Sequence, residues 1–206
     1  MKTLKESILN RSSHGAEGFK TQRRKMIESW LKEYDIENYT INDDLTIDVD
    51  GDVNLARKNL MEFPDYIQFG VVKGTFNCSG SRLTSLRGCP REVRGAFFCY
   101  DNQLTSLKGA PENVWYKFDC SSNKLTTLEG CPKKVGGDFF CSFNKLTSLI
   151  GSPRKVERGF YCNNNQLTSL KGAPDEVGHF FCNGNKVKFS KNDVTRVCSV
   201  EGDIKV

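Results

Sequence analysis

The side chains best suited to chemistry in this 206-residue chain are nine cysteines and two histidines. Six of the cysteines, Cys78, Cys99, Cys120, Cys141, Cys162 and Cys182, recur at intervals of 21 residues, the last step being 20. A zinc centre needs close pairs such as Cys-x-x-Cys, and the sequence has none. The start, Met1-Lys-Thr-Leu-Lys-Glu, has no apolar stretch of signal-peptide type. The thiols are therefore expected free, in a reducing compartment. A cysteine held at one repeat phase reads as a small hydrophobe in an inward row. Cys89 and Cys131 share a second phase with Ala110, Ser152 and Ala173, which calls only for a small residue. His179 lies three residues before Cys182, so strand alternation sends the two to opposite faces and gives no nucleophile–base pair. His14 falls in the N-terminal segment. Asp119 and Asp138 are expected outward on adjacent strands. Paired carboxylates can do acid–base chemistry on sugars, but two acids on a strand face are read here as tuning binding. Asp48-Val-Asp50-Gly51-Asp52 lacks the later Gly and Glu of a calcium loop. No catalytic residue, metal or cofactor is expected.

The elements that carry these residues are repeats. Leu83-Thr-Ser-Leu86 returns as Leu104–Leu107, Leu125–Leu128, Leu146–Leu149 and Leu167–Leu170. A period this short and regular predicts a solenoid, in which each unit stacks on its neighbours. Val135, Phe139, Cys141, Asn144, Leu146 and Leu149 set the phase of one unit. Phe-x-Cys alternates with period 2 and reads as a strand with Phe and Cys inward. Asn102, Asn123, Asn144, Asn165 and Asn185 are polar yet fixed in phase. A buried Asn must be hydrogen-bonded, so a ladder bonding the backbone of neighbouring turns is expected. Gly88, Gly109, Gly130, Gly151 and Gly172, each two before a Pro, mark the turn on the far side. Seven units start at Val49, Val72, Val93, Val114, Val135, Val156 and Val177. Residues 1–18 read as a flexible tail. Residues 19–48 read as a cap, with Met26, Ile27, Trp30, Leu31 and Tyr34 at helical spacing and a hairpin formed by Tyr39–Ile41 and Leu45–Ile47. Residues 49–190 form the solenoid, and 191–206 cap its C-terminal edge.

Val177-Gly-His-Phe-Phe-Cys-Asn-Gly-Asn-Lys-Val187 resembles the leucine-rich-repeat pattern L-x-x-L-x-L-x-x-N-x-L. The stretch Asn-x-Leu-Thr-Ser-Leu-x-Gly-x-Pro-x-x-Val looks like the short repeats of bacterial effectors, and still more like the Cys- and Gly-rich repeat proteins of tailed phages. The resemblance covers residues 49 to 190. It implies a β-rich leucine-rich-repeat solenoid with a parallel sheet on a concave face and extended convex segments. It also implies a setting in the infected bacterial cytoplasm or the virion.

With Phe and Cys inward, the columns between and beside them face out. Phe98, Tyr100, Phe140, Tyr161 and Phe181 then share one face, with Phe143 at its edge. Exposed aromatics in a row mark interaction sites, or they shield the sheet by stacking between strands. Trp115 and Tyr116 stand where other units have Gly or a charged residue. Trp115 is either a binding anchor or packed under the Asp-rich edge. Asp119, Asp138 and His179 complete this candidate face. Arg82, Lys124, Lys145 and Lys186, interleaved with Gln103 and Gln166, make a basic ridge beside the Asn ladder. A net charge of +5 is mild, short of a dedicated nucleic-acid binder, and no apolar run is long enough to cross a membrane. The expectation is a non-enzymatic module that binds another protein. Nucleic-acid or nucleotide binding through stacked aromatics and the ridge, and a structural virion role, are the alternatives.

Overall fold

The computed structural model describes the backbone from residue 4 to residue 206 and side chains from residue 17 onward. Residues 1–3 and the side chain of His14 lie outside the described residues. The chain is a parallel β-solenoid of about eight turns. Each turn contributes two short strands to two ladders. One ladder joins the valine strands Ile47–Val49, Phe69–Val72, Glu92–Val93, Asn113–Val114 and Lys134–Val135. The other joins the phenylalanine strands Val53–Asn54, Phe76–Asn77, Phe97–Phe98, Phe118–Asp119 and Phe139–Phe140. A bend separates the two in most turns. Lys155–Tyr161 and Glu176–Phe181 run through it and join both ladders. The shorter spacing of the last repeat appears there as a register shift between Val156 and Gly159.

The inward residues are those the repeat phase selects. Phe76, Phe97, Phe118, Phe139 and Phe160 are fully buried and stack ring on ring, with centroids 5.2–5.6 Å apart. The cysteine row lies beside them, buried, with every thiol free of disulfide bonds. At the far corner the five glycines adopt φ of +83° to +93°. A Cβ on Gly109 would stand 2.8 Å from the Leu86 carbonyl of the turn before. Glycine is thus fixed twice there, by conformation and by close approach.

Two boundaries differ from the sequence reading. Helix α1 runs Leu4–Glu33, so residues 4–18 continue the cap helix instead of forming a tail. The segment contains no proline, and its Leu, Lys, Glu, Arg and Ala residues favour helix, against three serines and two glycines that do not. α1 ends in a Schellman motif: Asp35 is left-handed (φ 54°), and Ile36 N–H donates to Leu31 O at 2.9 Å. Ile27, Trp30 and Leu31 bury one face, with Trp30 against Phe63 and Phe69, whereas Met26 points outward. The expected hairpin forms, but its second strand is Ile47–Val49, not Leu45–Ile47, because Leu45 is left-handed (φ 66°) in the turn. At the other end, residues 199–206 are not a separate cap but an eighth turn. Val200 pairs with Val177 and Ile204 with Phe180. Val200-Glu-Gly-Asp-Ile-Lys-Val206 repeats the Val-x-Gly-x-Phe-x-Cys phase with aliphatic substitutes. Short helix α2, Lys191–Thr195, stands in the connection and buries Val194.

Candidate functional site

The expected Asn ladder is present in full. Asn144 Nδ2 donates to the carbonyls of Cys120, Cys141 and Ser142 at 3.1–3.2 Å, and its Oδ1 accepts from Leu125 N–H at 3.0 Å. Asn102, Asn123, Asn165 and Asn185 repeat the scheme on their own turns. Each amide therefore locks the loop after one Cys to the turn before it. The residue just ahead of the Asn phase is left-handed in every repeat unit, including the first two, which lack the Asn: Arg57, Gly80, Asp101, Ser122, Phe143, Asn164 and Gly184. This column, which the sequence reading missed, aims the ladder inward and its own side chains outward.

The aromatic face is present but differs from a simple exposed row. Phe140, Tyr161 and Phe181 stack at 4.3 and 4.7 Å with interplanar angles of 10° and 2°. Their faces cover one another, so the sheet is shielded and mainly ring edges meet solvent. Partial burial pushes the Tyr161 hydroxyl above its usual pKa. Phe98 and Tyr100 form a separate edge-to-face pair. Asp119 interrupts the column between the two groups. Within the repeats the most exposed aromatics are Tyr116 at 64%, Phe143 at 58% and Trp115 at 57%, against 38% for Tyr100. Trp115 does not pack under the Asp-rich edge. It stands on the valine ladder, one bend from the ring stack, with the Arg94 guanidinium 5.5 Å from its ring. It lines a groove of about 820 Å³ with Glu92, Asn113, Lys134 and Lys155.

The acidic and basic candidates separate by role. Asp138 Oδ1 accepts from Gly159 N–H at 3.0 Å, and its Oδ2 lies 3.4 Å from Lys117 Nζ. Its carboxylate is committed to the neighbouring turn. Asp119 Oδ1 accepts from Ser121 N–H at 2.9 Å. Desolvation raises the Asp119 pKa, partly offset by that bond and by Lys117. The two acids accept from different backbone N–H groups, and Lys117 acts on both. His179 Nδ1 accepts from Asp203 N–H at 2.9 Å and so ties down the last turn. The basic ridge forms as a column: the backbone N–H groups of Arg82, Gln103, Lys124, Lys145 and Gln166 each donate to the turn before, whereas in the Lys186 turn Val187 is the donor, and Lys124 Nζ lies 3.1 Å from Gln103 Oε1. Asp48 and Asp52 accept from Val71 and Thr75 N–H, while Asp50 pairs with Lys73 at 3.0 Å. These acids fasten the first turns together. Among the described residues, no three His, Cys, Asp or Glu side chains gather to hold a metal, and no helix is long and apolar enough to cross a membrane.

Comparison with family models, curated proteins and solved structures finds no match to this chain.

Proposed function

We propose that the chain is a non-enzymatic binding module whose phenylalanine-strand face, framed by Trp115, Tyr116 and Phe143, takes another protein. Phe143 carries this reading. It is exposed, and it sits at φ 55° in a column held elsewhere by Gly, Asp, Ser and Asn, and by Arg57 in the first turn, so that it is the one apolar side chain there. A left-handed conformation costs a bulky L-residue about 1 kcal/mol or more. Phe143 gains neither burial nor conformational ease from the fold, and a contact with something else accounts for both. Exposed Trp and Tyr nearby suit the same use, being enriched among interface anchors. The resemblance of the repeat motif to phage proteins supports a setting in an infected cell or on a particle.

The nucleic-acid alternative has less support. A run of bases needs successive free ring faces; Tyr161 has both of its faces covered by Phe140 and Phe181, and Asp119 interrupts the column beyond Phe140. The test is Phe143→Asn, which suits the left-handed backbone. Capture from a lysate of the native cells is compared for wild type and variant. The expected result is a discrete partner retained by wild type and lost by a variant that is at least as stable. Equal capture by both would remove Phe143, and with it the main support for this face.

A further inference from the structure

The break in the aromatic column has the dimensions of a missing ring. Phe98, Asp119 and Phe140 are direct register partners on three successive turns. Strands about 4.8 Å apart put Phe98 and Phe140 about 9.6 Å apart, with a position midway that carries only a carboxylate. Elsewhere in the same column rings stack at 4.3 and 4.7 Å, so a planar group in the gap would continue the stack. A cation already visits this place: Lys117 Nζ lies 5.9 Å from the Phe140 ring centroid, within cation–π reach. Lys117 is nonetheless paired with Asp138, not Asp119, and no cationic side chain among the described residues lies within ion-pair distance of Asp119.

We propose that this gap is a receptor for an arginine side chain of the partner, its guanidinium stacked between Phe98 and Phe140 and bonded to the Asp119 carboxylate. Guanidinium is the side-chain cation that is planar, stacks on aromatic faces and bonds a carboxylate through a rigid fork. Asp119 Oδ1 is partly used by Ser121 N–H, which leaves Oδ2 as the principal acceptor. At the same phase, Asn54 and Asn77 make the same local bond to Ala56 and Ser79 N–H. The turn therefore needs only an amide oxygen, and the charge at position 119 is surplus to the fold. The inference rests on the protein-binding reading and gives its partner a chemistry.

The probe is the blocked tripeptide acetyl-Gly-Arg-Gly-amide, titrated against the full chain by NMR, with the citrulline tripeptide as its uncharged isostere. One inserted side chain should bind with a Kd on the order of 10 mM. Saturable shifts are expected at Phe98, Asp119 and Phe140, with upfield movement of the arginine Cδ protons. Asp119→Asn keeps the turn bond and should weaken binding about tenfold, the usual scale of a lost charge-assisted hydrogen bond. Lys117→Met, which removes the resident cation, should strengthen it. Shifts elsewhere only, equal binding of citrulline, or unchanged affinity in folded Asp119→Asn would each overturn the proposal. A protein partner captured equally by wild type and Asp119→Asn would also overturn it, while leaving the protein-binding reading in place.

Discussion

Asn144→Ala isolates what holds one turn to the next. The substitution removes four hydrogen bonds, all in buried surroundings, to Cys120, Cys141 and Ser142 carbonyls and from Leu125 N–H. Alanine supplies no replacement, and the side chain is too enclosed for bulk water to reach its former partners. A buried group left unpaired costs about 1–3 kcal/mol. One orphaned donor and one or two orphaned carbonyls give a loss of about 3–4 kcal/mol. That is a large share of the 5–15 kcal/mol typical of a folded domain. Urea unfolding followed by circular dichroism and by tryptophan fluorescence measures it. The fluorescence change is dominated by Trp30, which is buried in the cap. The two probes should separate in the variant if the break uncouples the N-terminal turns from the rest, since stacked repeats interact only with neighbours. Asn144→Asp provides the control. It keeps an acceptor for Leu125 but turns an oxygen toward the carbonyls. It should therefore be at least as damaging at neutral pH and recover partly on acidification. A loss under about 1 kcal/mol for Asn144→Ala would refute the ladder as the main tie between turns.

Ser81 occupies the Asn phase in the second turn, and its buried Oγ has no hydrogen-bond partner. Ser81→Asn should extend the ladder and raise stability by about 1 kcal/mol in the same urea assay; a loss would mean that the degenerate first turn does not present the matching groups. The cysteines should be nearly inert in the native state, because burial pushes the Cys131 thiol up to about 12 and those of Cys182 and Cys198 to about 11. Against an ordinary thiol this leaves about a hundredfold to a thousandfold less thiolate near neutrality. Iodoacetamide should thus label the chain quickly only after unfolding. Asp119 has a folded pKa above its unfolded value through burial. The folded state then binds the proton more tightly, and stability falls as pH rises from the unfolded toward the folded pKa, then levels off. Asp119→Asn should lose that slope in acid unfolding curves and equal or exceed wild type at neutral pH. An unchanged slope would assign the titration to other groups.

The inward half of the fold was legible because phase leaves no freedom. A turn admits one core row, and Val, Phe, Cys, Asn and Leu each hold one offset. The outward half was legible only as columns. That Phe140, Tyr161 and Phe181 stack face to face depends on ring angles, which spacing does not encode. The left-handed column was hidden because its members, Asp101, Ser122, Phe143 and Asn164, share a backbone conformation but no side-chain type. Two glycines in that column, Gly80 and Gly184, were the available signal. The eighth turn was obscured by helix α2, which lengthens the step from Val177 to Val200 to 23 residues. The step from Val200 to Ile204, matching that from Val93 to Phe97, could have revealed it. Helix α1 was cut short in the sequence reading because its N-terminal part shows little apolar periodicity.

The claim that the phenylalanine-strand face meets a protein is tested most directly by a photo-crosslinking phenylalanine analogue at position 143, irradiated in lysate of the native cells. The same analogue at position 108, on the opposite turn column, serves as the control. The account predicts a discrete protein adduct from position 143, suppressed in Asp119→Asn if the arginine receptor takes part, and none from position 108. No adduct at 143, or the same adducts from both positions, would contradict it.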